Sequence, residues 1–349
     1  MLELILSLII VVLTIYGNGV IFEKIIISES TKTLKIYEIP VYGLILLSFI
    51  ILFFNFFSPI NKLIGTLIII LSIFFAFIDF YKSDIKKEIL YTLFFIIIVT
   101  FILLLFSNIN RPDAGLYHLP YVSVIHENKI IFGLSNLHFR FGHISIFQYL
   151  SAGFNIYFLP KEVITIPLAV IFPVFILFVF KNLQKTFQDK NLNNIILLFF
   201  LIIFSVYSYN RYSEYGNDAP GHLFFLIFFV YLILQRKITL NFLANLILIS
   251  VFLFTIKPFM LILFLLPIYL YFKCVEKTQI FFNRTFIFSL TFLSLWILKN
   301  IITSGCIIYP LSKTCFKNIL YLDFEKTKIE EISGEAWAKD WVNYKNKKY

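Results

Sequence analysis

Side chains able to do chemistry are few in this chain, and most of them fall in four short strings. The first is Arg111-Pro112-Asp113-Ala114-Gly115-Leu116-Tyr117-His118-Leu119-Pro120. It sets a carboxylate, a phenol and an imidazole within six residues, just where an apolar stretch ends. Asp113 here has the chemistry of a general base or of a ligand to a divalent cation, with Tyr117 and His118 placed to orient a substrate. The competing reading is structural, an aspartate that caps the helix after it.

The second string is Asn210-Arg211-Tyr212-Ser213-Glu214-Tyr215-Gly216-Asn217-Asp218-Ala219-Pro220. Arg211 suits bidentate phosphate recognition. Glu214 and Asp218 are candidate ligands for Mg²⁺ or Mn²⁺. The alternative is a solvated turn with a helix cap at Asp218. The third string, Lys299 to Pro310, supplies Lys299 and Tyr309, and Lys257 stands apart before Pro258. Each lysine either pairs a phosphate or snorkels to the membrane surface. The fourth is Asn136-x-His138-x-Arg140-Phe141-Gly142-His143, whose alternating polar residues can line a pocket. His138 and His143 do not meet zinc-ligand spacing. No Cys-x-x-Cys, P-loop or nucleophile-elbow motif occurs. Cys306 and Cys315 are nine positions apart and either bridge or remain two thiols, whereas Cys274 is expected to stay reduced on the cytoplasmic side.

These residues must be held by an unusually apolar chain. Hydrophobic residues make up 60% of its 349 positions and charged residues 14%, and mean hydropathy is +0.88. Apolar runs reach the length that crosses about 30 Å of hydrocarbon. The fold class expected is therefore all-α, a polytopic transmembrane bundle, since a spanning segment must satisfy its own backbone hydrogen bonds. About ten spans are expected: 2–22, 40–58, 62–80, 88–106, 162–180, 193–209, 218–234, 240–256, 258–272 and 285–302. The first lacks a basic flank and a small-residue cleavage site, so it is read as a retained span rather than a signal peptide. Lys257-Pro258 predicts a kink or tight turn.

The net charge of +10 does not point to nucleic acid, because the lysines are scattered in short loops beside apolar segments, the pattern of topology and lipid-headgroup contact. Lys82, Lys86 and Lys87, then Lys181, Lys185 and Lys190, then Arg236 and Lys237, then Lys273, Lys277 and Arg284 all fall on one side if the ten spans hold. That side is expected to be cytoplasmic. Residues 107–161, 210–217, the turn at Lys257 and the segment from 303 then face outward. The tail beyond 303 mixes lysines with Asp323, Glu325, Glu330, Glu331, Glu335 and Asp340. Segment 107–161 is expected to form two short amphipathic helices lying at the outer interface, with 144–159 alternatively dipping into the membrane.

Taken together, the Asp113 string in the first long outer loop, the acidic string in the next and the seven spans from 88 onward resemble the GT-C superfamily of membrane glycosyltransferases. The Asp-x-x-x-Tyr-His-Leu-Pro and Ser-Gly-x-x-x-Tyr-Pro strings also resemble those of bacterial membrane proteins from surface-polysaccharide loci. The resemblance divides the chain into a three-span extension over 1–87, a seven-span core over 88–302 with its outer loop 107–161, and an extracytoplasmic tail over 303–349. It departs from the family in the extra spans, and in Asp113 standing without a second carboxylate two positions on.

What the resemblance implies is a sugar transferase of the bacterial inner membrane, with its active site outward. The donor would be a polyprenyl-phosphate-linked sugar and the acceptor a cell-surface glycan or lipid. Asp113 would be the catalytic residue. Tyr117, His118, Asn136, Arg140, Arg211, Lys257, Lys299 and Tyr309 would bind substrate, and Glu214 and Asp218 would hold a divalent cation. Two other classes fit an apolar polytopic chain. A polysaccharide polymerase or ligase would carry more arginines in its large outer loop than Arg111 and Arg140. A lipid-linked-glycan flippase or transporter would carry ionisable groups through several spans, and almost none lie mid-span here.

Overall fold

The computed structural model describes residues 1–27, 34–106, 112–212, 214–235, 237–273 and 277–339. Arg111, Ser213, Arg236, Cys274 and Asp340, all named above, lie outside them. Among the described residues the fold is all-helical, and the one strand-like pairing is an isolated bridge between Cys306 and Cys315.

The chain opens with α1 (Leu2–Phe22), α2 (Ile39–Asn55), α3 (Lys62–Lys82) and α4 (Lys86–Leu105). Two short helices follow in the long loop, α5 (Leu119–Glu127) and α6 (Ile146–Ala152). Then come α7 (Ile166–Gln188), α8 (Leu192–Tyr207), α9 (Asp218–Leu234) and α10 (Leu240–Ile256). A tight 3₁₀ run (Pro258–Phe264) leads into α11 (Leu265–Lys273), and α12 (Arg284–Ser304) and α13 (Phe324–Ala338) complete the chain. Every segment expected to span is helical. Five helices are long and apolar enough to cross a membrane: α1 with its extension to Ile27, α3, α4, α7 with the turn from Lys161, and α12. Five more apolar helices are shorter: α2, α8, α9, α10 and the Pro258–Lys273 unit. At 1.5 Å per residue, the 17 residues of α10 reach about 26 Å, somewhat less than the hydrocarbon core.

Local sequence explains the helix starts. Asn61, Asn191, Thr239 and Asn283 each accept a hydrogen bond from a backbone N–H three residues on, at 3.1–3.2 Å. In a chain this apolar, these polar residues mark where one helix begins and the preceding turn ends. Gly305, in the left-handed region at φ 73°, terminates α12. The turn expected at Lys257-Pro258 is present: Lys257 is extended (φ −145°, ψ 125°) and reverses the chain at the end of α10.

The N-terminal helices pack closely through glycines. A Cβ on Gly17 would lie 1.8 Å from the Ser72 carbonyl oxygen of α3, and one on Gly43 would lie 1.9 Å from that of Ile15 in α1. At the α1–α3 contact, Asn18 donates to Ser72 Oγ (2.8 Å) and to the Thr14 carbonyl (2.8 Å). Small residues with a few hydrogen bonds across the seam are how helices associate where lipid removes the hydrophobic drive. One continuous core runs from Leu8 and Leu44 through Phe147 and Val170 to Phe252 and Trp296. The first three helices are thus packed into the same core as the rest. Outside it, α3, α4 and α8 present apolar side chains such as Phe74, Phe94 and Phe200 to the surroundings. A belt of this kind suits contact with lipid.

Segment 107–161 forms two short helices, as expected. The second, α6, is enclosed by protein, since all seven of its residues are buried. It sits against α2, α5 and α7. Seven residues rise only about 10 Å, so α6 dips into the bundle and cannot cross it. The polar residues that made the segment look amphipathic, Asn136 to His143, precede α6 in loops and 3₁₀ turns.

The glycine contacts predict that Gly43→Val lowers the thermal midpoint of the detergent-solubilised protein. A cost of about 1–3 kcal/mol is expected for forcing α1 and α2 apart. Gly216→Ala, with no atom within 4 Å of the added carbon, should leave the midpoint unchanged. Equal midpoints for Gly43→Val and wild type would show that the close approach is not needed.

Candidate functional site

At one end of the bundle three connections meet: the start of the long loop, the loop between α8 and α9, and the turn after α10. Between them lies a cleft of roughly 260 Å³. Its lining includes Asp113, Tyr117, His118, Arg140, Arg211, Glu214, Asp218 and Lys257. Eight of the residues singled out from sequence thus share one cavity. It carries three carboxylates and three permanent cations.

Asp113 precedes a wide helical turn (Ala114–His118) but makes no capping hydrogen bond with its side chain. Its carboxylate is exposed. The helix-cap reading of Asp113 therefore has no support here. Asp113 lies close enough to Tyr117 to act on it by charge and hydrogen bond; burial and then this carboxylate push the phenol up to about 12. The Arg140 guanidinium lies over the Tyr117 ring, 5.2 Å from its centroid, and over Phe139 at 5.1 Å. These stacks hold a planar cation at the cleft wall.

Lys257 forms an ion pair with Asp218. The partners keep 29% and 59% of their side-chain exposure, so the pair contributes only about 0–1 kcal/mol. A ligand anion can take over Lys257 at little cost. The helix cap expected at Asp218 falls instead on Asn217, which caps without a side-chain bond. The fit to a divalent cation is limited. Lys257 already engages Asp218, and among the described residues no group of three or more His, Cys, Asp or Glu side chains converges on one point.

Beneath the cleft, Gln148 joins its parts. Its Oε1 accepts from Ser145 N (3.0 Å) as half of a capping box that starts α6. Its Nε2 contacts His118 Nδ1 (2.7 Å) and donates to Asn217 Oδ1 (2.9 Å). The His118 ring also stands 6.3 Å from Tyr215, nearly perpendicular to it. With Nδ1 accepting from the amide, the imidazole proton sits on Nε2. Burial pushes His118 down to about 4, against the opposing pull of Asp113 and Asp218, and burial together with Arg140 does the same to His143. Both are neutral at physiological pH. Gln148 and Asn217 were not singled out from sequence; the Ser145-x-x-Gln148 spacing was the signal available for the first.

Three expected binding residues lie away from the cleft lining. Asn136 donates to the Tyr321 carbonyl (2.5 Å), fastening the C-terminal segment to the long loop. Tyr309, preceding a cis proline, is buried against Gly142 and against His143 at 5.2 Å between rings, which leaves it one residue behind the cleft wall. Lys299 is wholly buried in α12 with its ammonium 3.8 Å from the Trp296 ring centroid. Cys306 and Cys315 form a disulfide in this same C-terminal segment.

The family model for "Domain of unknown function (DUF8201)" matches residues 1–346, and the chain belongs to that family. Neither a curated protein nor a solved structure matches the chain.

Two outcomes follow from the buried polar groups. A histidine whose folded pKa lies below its unfolded value near 6.5 leaves stability intact above that pH and drains it as pH falls toward 4. The thermal midpoint should therefore drop between pH 6.5 and 4, and His118→Gln with His143→Gln should flatten that drop; an unchanged slope would contradict neutral burial. Gln148→Leu should cost about 1–3 kcal/mol by leaving His118 and Asn217 without their partner, read as a lower midpoint at pH 7.

Proposed function

We propose that this member of the family is a multi-pass membrane glycosyltransferase whose ten apolar helices each traverse the bilayer, with the cleft at its outer face. The observation that carries the reading is the convergence of Asp113, Arg140, Arg211 and Lys257, from three separate connections, in one cleft at one end of an apolar bundle. Carboxylate and cations side by side suit a reaction that removes a proton from a neutral nucleophile and releases an anion. A sugar carried on a polyprenyl phosphate supplies such a leaving group at a membrane surface.

In this scheme the acceptor hydroxyl attacks the anomeric carbon of the donor sugar. The new C–O bond forms as the bond from that carbon to the phosphate oxygen breaks. The electron pair leaves with the polyprenyl phosphate, and the hydroxyl proton passes to Asp113. Lys257, freed from Asp218, and Arg211 take up the negative charge of the leaving phosphate. Tyr117 and Arg140 offer stacking surfaces beside Asp113. Neutral His118, anchored by Gln148, donates from Nε2 and so orients an oxygen rather than removing its proton. No step requires Glu214 and Asp218 to share a cation.

The cytoplasmic placement of the other end rests on the basic loops. Lys35, Gln235, Thr239 and Arg284 line one pocket there, while Ile85 and Lys181 share a groove with Lys35. These residues belong to or adjoin the four basic connections, and their grouping away from the cleft supports the positive-inside reading.

The test is the mass profile of surface glycans in cells carrying wild-type protein, Asp113→Asn or Lys257→Ala, at matched membrane levels. Asp113→Asn should reproduce the gene deletion, since loss of a general base lowers rate by about 10²–10⁴-fold. Lys257→Ala should be strongly impaired and Asp218→Asn less so, because Asp218 serves only as a resting counter-ion. A missing sugar or decoration identifies the donor. Collapse to a single repeat unit would replace this reading with a polymerase, and wild-type behaviour of Asp113→Asn would sink it.

A further inference from the structure

The opposite end of the bundle holds a second polar cavity. It has a volume of about 460 Å³ and lies among the α1 extension, the α9–α10 connection and the start of α12. Lys35 and Arg284 line it together with Glu38, Tyr231, Asn241 and Asn245. The neutral residues form a fixed polar wall: Asn245 donates to Tyr231 Oη (3.1 Å) and Asn283 donates to Asn241 Oδ1 (2.8 Å). Both cations are exposed. Among the described residues Arg284 donates to the Ile25 carbonyl, at 3.5 Å. Among the described residues Glu38 is the one carboxylate of the lining; it accepts from Lys35 N (3.0 Å). Burial holds its carboxyl above the usual range.

A larger and mostly apolar groove of about 660 Å³ opens beside it, between α4 and α7. Tyr91, Phe95, Leu177 and Phe180 form its walls, and Lys181 stands at its rim. The two cavities share Leu34 and Lys35. A cationic polar chamber that continues past one lysine into an apolar groove on the lipid-facing side has the shape of an amphiphile. Free phosphate would fill the first chamber and leave the groove empty.

We propose that this end binds one anionic phospholipid of the facing leaflet, its phosphate held by Lys35 and Arg284 and one acyl chain lying along the α4–α7 groove. This rests on the membrane-embedded part of the functional reading and is independent of the transferase chemistry. Lysines and arginines at a membrane surface attract anionic headgroups, and the groove converts that general attraction into a retained, stoichiometric lipid. The site lies at the far end of the helices from the cleft, so its occupancy fixes the spacing of α4, α7 and α12 rather than taking part in catalysis.

The test uses the full chain in nanodiscs of equal phosphatidylglycerol and phosphatidylcholine, released into detergent and weighed by native mass spectrometry. One phosphatidylglycerol should remain bound, favoured about tenfold over phosphatidylcholine as two headgroup contacts allow. Lys35→Gln with Arg284→Gln should bring the two lipids to parity. Phe180→Ala, an exposed groove position that leaves the core intact, should shorten retention without changing the preference. Millimolar inorganic phosphate should fail to displace the lipid, and Asp113→Asn should retain it as wild type does. Equal retention of both lipids by the wild type, an unaltered preference in the double variant, or displacement by phosphate alone would each overturn the proposal. An Asp113→Asn protein that loses transferase activity yet keeps its lipid separates this outcome from that of the outer site.

Discussion

A single glutamine amide ties the parts of the cleft together. Gln148 sits in a buried seven-residue helix that is itself started by the same side chain. Its oxygen closes the capping box, and its nitrogen bridges His118 and Asn217. His118 lies five positions after Asp113, and Asn217 directly precedes Asp218. Through one planar group the long loop and the α8–α9 connection are therefore fixed relative to each other. The interaction is favourable because Gln148, His118 and Ser145 are buried and Asn217 partly so, where an unmet donor or acceptor costs more than a hydrogen bond returns. It also settles the charge of His118, since a nitrogen that accepts from an amide is not protonated. Cleft geometry and cleft electrostatics thus share one cause.

The ionic parts of the cleft are built on the opposite principle. Lys257 and Asp218 stay partly in water, Arg211 is exposed, and Arg140 rests on aromatic faces rather than on a carboxylate. Such groups contribute little to folding and are accordingly free to serve a ligand. Rigid neutral support below and loosely held charge above is an arrangement in which binding displaces weak contacts and leaves strong ones alone.

Much of this was legible in the sequence. The helices were, because apolar runs broken by Asn61, Asn191, Thr239 and Asn283 carry the start signals of helices. So was the grouping of Asp113, Arg211, Glu214, Asp218 and Lys257, because alternate connections of a membrane bundle must emerge on one side. Burial of α6 was not legible. Its residues Ile146 to Ala152 are apolar enough for either an interface or an interior, and only packing against α2, α5 and α7 decides between them. Lys299 was misplaced for a related reason: near a helix end a lysine can reach outward or fold back, and here it folds back onto Trp296. Asn136 looked like a pocket residue because its neighbours alternate in polarity, while its actual partner, Tyr321, is far along the chain.

That last pairing sets an order of events. Asn136 meets the Tyr321 carbonyl across 185 positions, and Gly133 N donates to the Ile302 carbonyl nearby at 2.9 Å. Chain synthesis at about 5–20 residues per second separates the appearance of the two partners by roughly 10–40 seconds. During that interval the loop can pack on α5, where Phe141 meets Tyr121, but its tie to Tyr321 cannot form. A nascent chain truncated before Tyr321 would therefore carry every residue of the cleft lining without the contact that fastens Asn136.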